Sequence, residues 1–303
     1  MLNYEIPINM KVGIFGQALS DKTKVYARKL LDSLKKYNVE VVVYADFYKI
    51  FQELDVTTEK LNTFSSELEP DHGIDLMYTL GGDGTILRVL SIIKDTEIPI
   101  VGINTGRLGF MATISKEHIE EKVQAIVNGE YKIKERRLLE LETSAEVEDI
   151  PYKFALNEIA INRKETTSMV TVDAYLDGEY LNSYWGDGLI IATPTGSTGY
   201  SLSCGGPIIM PGSNNLVLTP IAPHNLYARP FVIPDDMEIE LQIKGRAENY
   251  LVLLDSRLVT VPHGIKLRIK KSKFVVKMVR FEEMRFLKTL RKKMLWGEDY
   301  RNE

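Results

Sequence analysis

Up to about residue 137 short apolar runs alternate with stretches of helical periodicity, and beyond that point the helices largely stop. "MKVGIFG", "VEVVVYA", "IDLMYTL" and "IPIVGIN" read as buried strands. "KTKVYARKLLDSLKKY", "TILRVLSIIKD" and "SKEHIEEKVQAIVNGE" read as helices, the first with Val25, Leu30, Leu31 and Leu34 turned inward and the last opening on a serine N-cap. Strands that alternate with helices predict a parallel sheet covered on both faces. From residue 138 the runs are short, β-branched and separated by turn residues, among them "KFALNEIAINR", "GLIIATP", "NLVLTPIAP" and "YLVLLDS". The expected fold is therefore an α/β N-terminal domain with a parallel sheet over 1–137, a β-rich domain over 138–280, and a C-terminal helix over 281–303. That helix is expected to pack back on the first domain, because alone it would be marginal. At roughly 150 residues per domain, 303 residues suit two domains, and 44% hydrophobic content is enough for two cores.

Within the first domain "GGDGT" falls where a strand ends and a helix begins, the place where parallel α/β sheets bind ligands. Gly81, Gly82 and Gly84 allow close backbone approach, and with Thr85 and the free amides of the helix start they suit a phosphate. Asp83 is the exception, since a carboxylate facing phosphates is repelled unless a divalent cation or a hydroxyl proton lies between. It reads either as a general base or Mg²⁺ partner in phosphoryl transfer, or as a cap of the following helix. Neither GxxxxGK[ST] nor a GxGxxG fingerprint is present. In the second domain "TPTGSTGYSLS" offers hydroxyls and amides for ribose or phosphate oxygens, with Tyr200 able to stack on a planar ring; the alternative is a tight loop between strands. Asn157 and Glu158 interrupt an apolar alternation, and Asp187 precedes a buried strand. The pair suits a sugar and a base edge, or else turns outward at a sheet edge.

Other chemistries are disfavoured. One cysteine, Cys204, and four scattered histidines give neither a disulfide nor zinc spacing, so no protein-ligated metal is expected. A formal charge of −4 argues against a broad nucleic-acid face, and Lys288, Arg291, Lys292 and Lys293 read as the solvated face of a helix whose apolar side carries Met284, Leu287, Leu290 and Met294. The longest apolar runs fall short of the ~20 residues of a membrane span, and "MLNYEIPINMK" lacks a signal-peptide core, so the expected location is the cytoplasm.

"GGDGT", the "NTGRLGF" loop at 104–110, "NE" in a strand, and "DGLIIATPTGSTGYSLSCGGPI" followed by "LTPIAPHNLYARPFVIP" resemble the NAD kinases, in that order and at similar separations, over roughly residues 12–262. Diacylglycerol, sphingosine and phosphofructokinase families carry related GGDG elements, and the long TPTGST segment separates NAD kinases from them. The resemblance implies transfer of a phosphoryl group from ATP, with Mg²⁺ carried on it, to the adenosine ribose 2'-hydroxyl of NAD. Asp83 would take the hydroxyl proton, Asn157 and Glu158 would bind the nucleoside, and Asp187 would help hold NAD. Thr198, Gly199, Tyr200, Ser201, Leu202 and Ser203 would line the dinucleotide, Phe110 would sit near the adenine, and Gly84 would lie by the phosphates; Arg88, one turn into the helix after Asp83, either neutralises phosphate or faces solvent. The family is also homo-oligomeric, implying a dimer or tetramer. Trp185 stands where many members have arginine, Gly199 replaces the alanine of "TGSTAY", and "LDSRL" at 254–258 raises a role for Arg257. A GGDGT-type lipid kinase, which would need an apolar slot, and a nucleotide sensor without turnover are the other classes.

Overall fold

The computed structural model describes residues 10–296 apart from 22, 58–59, 66–67, 69–71, 107–108, 113, 148–149, 151, 165–168 and 284. Residues 107 and 108 of the "NTGRLGF" loop, Met284 and the end of the C-terminal helical stretch thus lie outside the described residues. The chain forms two compact units, Met1–Glu135 with Val276–Glu303, and Arg136–Val275.

The first unit runs β1 (Lys11–Gly16), α1 (Lys24–Lys36), β2 (Glu40–Tyr44), α2 (Ala45–Glu53), β3 (Asn62–Phe64), β4 (Leu76–Gly81), α3 (Asp83–Ile93), β5 (Ile100–Asn104), β6 (Ile114–Ser115) and α4 (Ile119–Val127). Its strands pair in the order β5-β4-β1-β2-β3, all parallel, with β6 also parallel to β5. Central strands buried on both faces read as unbroken apolar runs, as β4 and β5 do. Helix α1 buries Ala27, Leu30, Leu31 and Leu34, an i, i+3, i+4, i+7 stripe. Val25 is instead 52% exposed, which corrects the inward face read from sequence: two residues before Ala27 it lies about 200° away around the helix. No helix among the described residues is long and apolar enough to cross a membrane.

Among its described residues the second unit is mostly β, with a 3-10 turn at Gly196–Thr198 and one short α-helix. It holds most of β7 (Lys132–Thr143), then β8 (Phe154–Ala155), β9 (Glu158–Asn162), β10 (Val170–Leu176), β11 (Glu179–Gly186) and β12 (Gly188–Ala192). After α5 (Tyr200–Ser203) come β13 (Asn215–Ile221), β14 (Phe231–Pro234), β15 (Ile239–Lys244), β16 (Asn249–Leu254), β17 (Arg257–Pro262) and β18 (Lys266–Arg280). One antiparallel sheet has the order β14-β13-β12-β9-β16-β17, and β11, β10, β15 and the start of β18 pair antiparallel in another. Ile159, Leu189, Ile191 and Leu218 of the first share a core with Val172, Leu241, Leu267 and Ile269 of the second. The other face of β12 is also covered: Ile190 and Ala192 pack with Ile209 beneath Tyr200. Strands β7 and β18 carry the chain from one unit to the other, and α6 (Phe286–Met294) belongs to the first.

Candidate active site

In the first unit β4 turns into α3 through Gly81 and Gly82. A Cβ on Gly81 would stand 2.0 Å from the Thr85 hydroxyl oxygen, so only glycine fits, whereas a Cβ on Gly82 or Gly84 would meet no atom within 4 Å. The turn is thus tight on its inner side and open on the other, as an anion site requires. Asp83 is the first residue of α3, behind Gly82 as N-cap, and the cap residue makes no side-chain bond. The Asp83 carboxylate reaches instead to the loop after β5. Its Oδ2 accepts the Phe110 N–H (2.7 Å), and its Oδ1 accepts those of Met111 (3.0 Å) and Ala112 (2.9 Å). Gly109 makes this possible, since a Cβ there would lie 2.0 Å from Oδ1. The helix-cap reading of Asp83 therefore gives way to a carboxylate held by three amides of a neighbouring loop. Phe110 stands in that loop, its ring 5.8 Å from Phe286 and 4.5 Å from Lys293 Nζ. Arg88 is exposed one turn along α3.

In the second unit Glu158 opens β9, a central strand, and is buried at 7% exposed, with the half-buried Asn157 just before it, so the pair does not sit at a sheet edge. The pair is organised by Asp255, which accepts the N–H groups of Leu156 (3.0 Å), Asn157 (2.7 Å) and Glu158 (3.3 Å). Asp255 sits in the two-residue turn joining β16 to β17 at φ 55°, a left-handed conformation that aspartate tolerates better than most residues. Burial, together with the Asp255 carboxylate beside it, pushes the Glu158 carboxyl up to about 8, with the Tyr200 backbone N–H pulling the other way. Burial raises Asp255 too, against the opposing N–H groups of Leu156 and Asn157, the Arg257 charge and the Glu158 N–H. With three amides on Asp255, the proton shared by this coupled pair belongs on Glu158. Glu158 Oε2 is buried with no hydrogen-bond partner among the described residues.

The hydroxyl-rich segment closes over this pair. Thr193 donates from its hydroxyl to Leu156 O (2.6 Å) and from its N–H to Asn157 O (2.9 Å). Gly196 presses on the Asn157 backbone, where a Cβ would come within 2.0 Å of the carbonyl oxygen. Gly199 stands over the side chains, its would-be Cβ 3.1 Å from Glu158 Oε2 and 3.8 Å from Asn157 Nδ2. Several hydroxyls prove to hold the segment itself. Ser197 bonds Pro194 O and the Ile209 N–H, Thr198 bonds Thr195 O (3.2 Å), and Ser201, fully buried, shares a 2.8 Å bond with Thr219. The Ser201 hydroxyl is thus engaged by the Thr219 hydroxyl of β13. Leu202 is half-buried and Ser203 exposed. The Tyr200 ring packs on the sheet, and burial raises its phenol while a hydrogen bond to Asn162 lowers it.

Asp187 is held bidentately by Arg163, Nε to Oδ1 at 3.0 Å and Nη2 to Oδ2 at 3.2 Å. Trp185 is exposed against His224, with ring centroids 4.4 Å apart. Arg257 is a strut: it donates to the Tyr152 and Phe154 carbonyls and lies 4.8 Å over the Tyr152 ring. If Gly199 borders the dinucleotide that the sequence resemblance implies, Gly199→Val is expected to raise the NAD concentration for half-maximal rate at least fivefold, about 1 kcal/mol, with thermal stability nearly unchanged. A steady-state titration with a melting curve checks this; an unchanged half-saturation would show that ligand does not pass over Gly199.

A carboxylate at a glycine turn, with open space beside it for phosphates, suits a phosphoryl-transfer enzyme. Family models described as the ATP-NAD kinase N-terminal and C-terminal domains match residues 12–131 and 156–281. The chain is 50% identical to an NAD kinase of Flavobacterium psychrophilum over 294 residues, 97% of this chain and all of that one. It is 41% identical to one of Bacteroides fragilis over 295 residues, 96% of this chain and all of that one. Among solved structures it resembles an NAD kinase from Archaeoglobus fulgidus in complex with ATP, with a TM-score of 0.73 and 27% identity, covering 95% of this chain and all of that one. It shares its fold with yeast NADH kinase complexed with NADH, with a TM-score of 0.84 and 23% identity, covering 97% and 90%. This chain belongs to the NAD kinase family.

Proposed function

We propose that this protein phosphorylates the adenosine ribose 2'-hydroxyl of NAD with ATP as donor, releasing NADP and ADP. The hydroxyl oxygen attacks the γ-phosphorus, the bond to the β–γ bridging oxygen breaks, and Asp83 takes the hydroxyl proton. Of its two oxygens Oδ2 has one amide donor against two on Oδ1, which leaves Oδ2 the freer acceptor. The open side of Gly82 and Gly84 suits phosphates, the Mg²⁺ arrives on ATP as part of that substrate, and the exposed guanidinium of Arg88 is a counter-charge one turn away. Asn157 and Glu158 receive the nucleoside, with Thr198, Gly199, Tyr200 and the exposed Ser203 along the dinucleotide and Asp187 acting through its pair with Arg163. Family membership supports Phe110 as the adenine neighbour, a homo-oligomeric assembly and a place in the cytoplasm beside the NAD and ATP pools.

The observation that carries this reading is Glu158 Oε2, a buried oxygen with no hydrogen-bond partner among the described residues, beneath a glycine. Such an atom costs free energy unless a ligand hydroxyl completes it. Glu158→Ala and Asn157→Ala are each expected to weaken NAD binding by about 1 to 3 kcal/mol while changing ATP binding little. Calorimetry on both variants checks this, and unchanged NAD affinity in both would return the pair to a packing role. A coupled NADP-formation assay with ATP, Mg²⁺ and NAD, run beside one offering diacylglycerol as acceptor, tests the activity itself. A rate with diacylglycerol and none with NAD would overturn it.

A further inference from the structure

The three amides that hold Asp83 belong to a loop that is itself gripped from its other side. Arg280, at the end of β18, is 9% exposed. It donates from Nη1 to the Met111 carbonyl (3.0 Å) and from Nη2 to the Phe110 carbonyl (3.3 Å). A peptide group is planar and trans, so the carbonyl of one residue and the N–H of the next are opposite ends of one rigid unit. The Phe110 carbonyl is therefore fixed to the Met111 N–H, and the Met111 carbonyl to the Ala112 N–H. These are the two donors on Asp83 Oδ1. Two peptide planes thus run from the guanidinium to the carboxylate, cation at one end and anion at the other, each polarised in the direction that strengthens both of its hydrogen bonds. The rigid fork of arginine matches two carbonyls at once, which a lysine cannot do.

We infer that Arg280 is the positioning residue of Asp83, setting the orientation of the proton-accepting carboxylate through the Phe110–Met111 and Met111–Ala112 peptide groups without touching substrate. The inference rests on the reading of Asp83 as the base. Phe286 and Lys293, against the Phe110 ring, hold the same loop from helix α6, so the last strand and helix of the chain support the loop at three points. A residue that only packs the unit would lower stability and leave turnover by folded molecules alone. One that orients the base lowers kcat while leaving KM for NAD in place, because the nucleoside contacts are made elsewhere.

The test is a double-mutant cycle on the full chain. Arg280→Met is expected to lower kcat about 30-fold with KM for NAD within about twofold, in line with the cost of misplacing a reacting group by a fraction of an ångström. Arg280→Lys, which keeps the charge and one donor head, is expected to recover turnover to within about fivefold of the parent. In an Asp83→Asn background either Arg280 substitution is expected to change the residual rate by less than about twofold, since the carboxylate it orients is gone. An unchanged kcat in both single variants, an equal loss in both backgrounds, or a rise in KM alone overturns the inference. Should Arg280→Met fail to fold, Arg280→Lys carries the comparison, with an expected loss of about three- to fivefold beside Asp83 and none beside the asparagine substitution. If Asp83→Asn alone keeps parental turnover, the reading of Asp83 as base has failed; if it loses turnover and the Arg280 variants do not, only the present inference has.

Discussion

Replacing Asp83 by asparagine is expected to lower NADP formation by roughly 10²- to 10⁴-fold, the usual contribution of a positioned general base. The amide fills the same space, and its single oxygen can take the Met111 and Ala112 N–H groups that now converge on Oδ1. The NH₂ group then faces the Phe110 N–H, which now donates at 2.7 Å, so one hydrogen bond is replaced by two opposed donors. That local cost is on the order of 1 to 2 kcal/mol, too small to unfold a chain of this size with a normal margin of stability. A folded variant that binds NAD with parental affinity and turns over about a thousandth as fast would match the proton-accepting role. Turnover within about threefold of the parent would reduce Asp83 to an anchor for the 109–112 loop. Steady-state rates and NAD titrations on the purified variant, beside its melting curve, distinguish these outcomes.

The alternation of apolar runs with amphipathic ones carried the parallel sheet of the first unit, because strands buried on both faces cannot hide their composition. The β-rich second unit was legible for the same reason in reverse, from short β-branched runs and frequent turns. Finer placement needed angles. Val25 looks like a core residue by type, yet the helical repeat puts it opposite Leu34, and a count around the wheel from Ala27 reveals it. The Gly-rich turn could be found in sequence, but what holds Asp83 could not, since the loop that binds it lies 27 to 29 residues on. Asp255 was hidden more deeply. "YLVLLDSRLVTV" announces a hairpin turn at Asp255–Ser256, but nothing local indicates that the turn carboxylate reaches three amides 97 to 99 residues earlier. Arg163, the partner of Asp187, and Arg280 are likewise single basic residues whose partners the topology supplies. The hydroxyls of 193–206 divide in a way composition cannot show: Ser197 and Ser201 build the loop, while Gly199 leaves room over Asn157 and Glu158.

Asp255→Ala is expected to cost about 3 to 5 kcal/mol of stability, since it strips the acceptor from three amides at the buried start of β9 and leaves an alanine at φ 55°. Its pH dependence is the more specific part. Glu158 has a folded value near 8 and an ordinary one of 4.5, so between those values the folded chain holds a proton that the unfolded chain has lost. Stability therefore falls as pH rises from about 4.5 through 8, and burial of Asp255, which raises that carboxyl as well, acts in the same direction. Removing Asp255 takes away the like charge that helps raise Glu158, so the slope between pH 5 and 8 should shrink even as the whole curve drops. NAD affinity should fall with it, because Asn157 and Glu158 lose the amide anchors that fix their backbone beneath Gly199. Urea unfolding of parent and variant at pH 5.5 and 8.5, with NAD calorimetry at one pH, reads all three effects. A stability loss below about 1 kcal/mol would mean that the three amides find other acceptors, and an unchanged pH slope would remove Asp255 as a cause of the Glu158 shift.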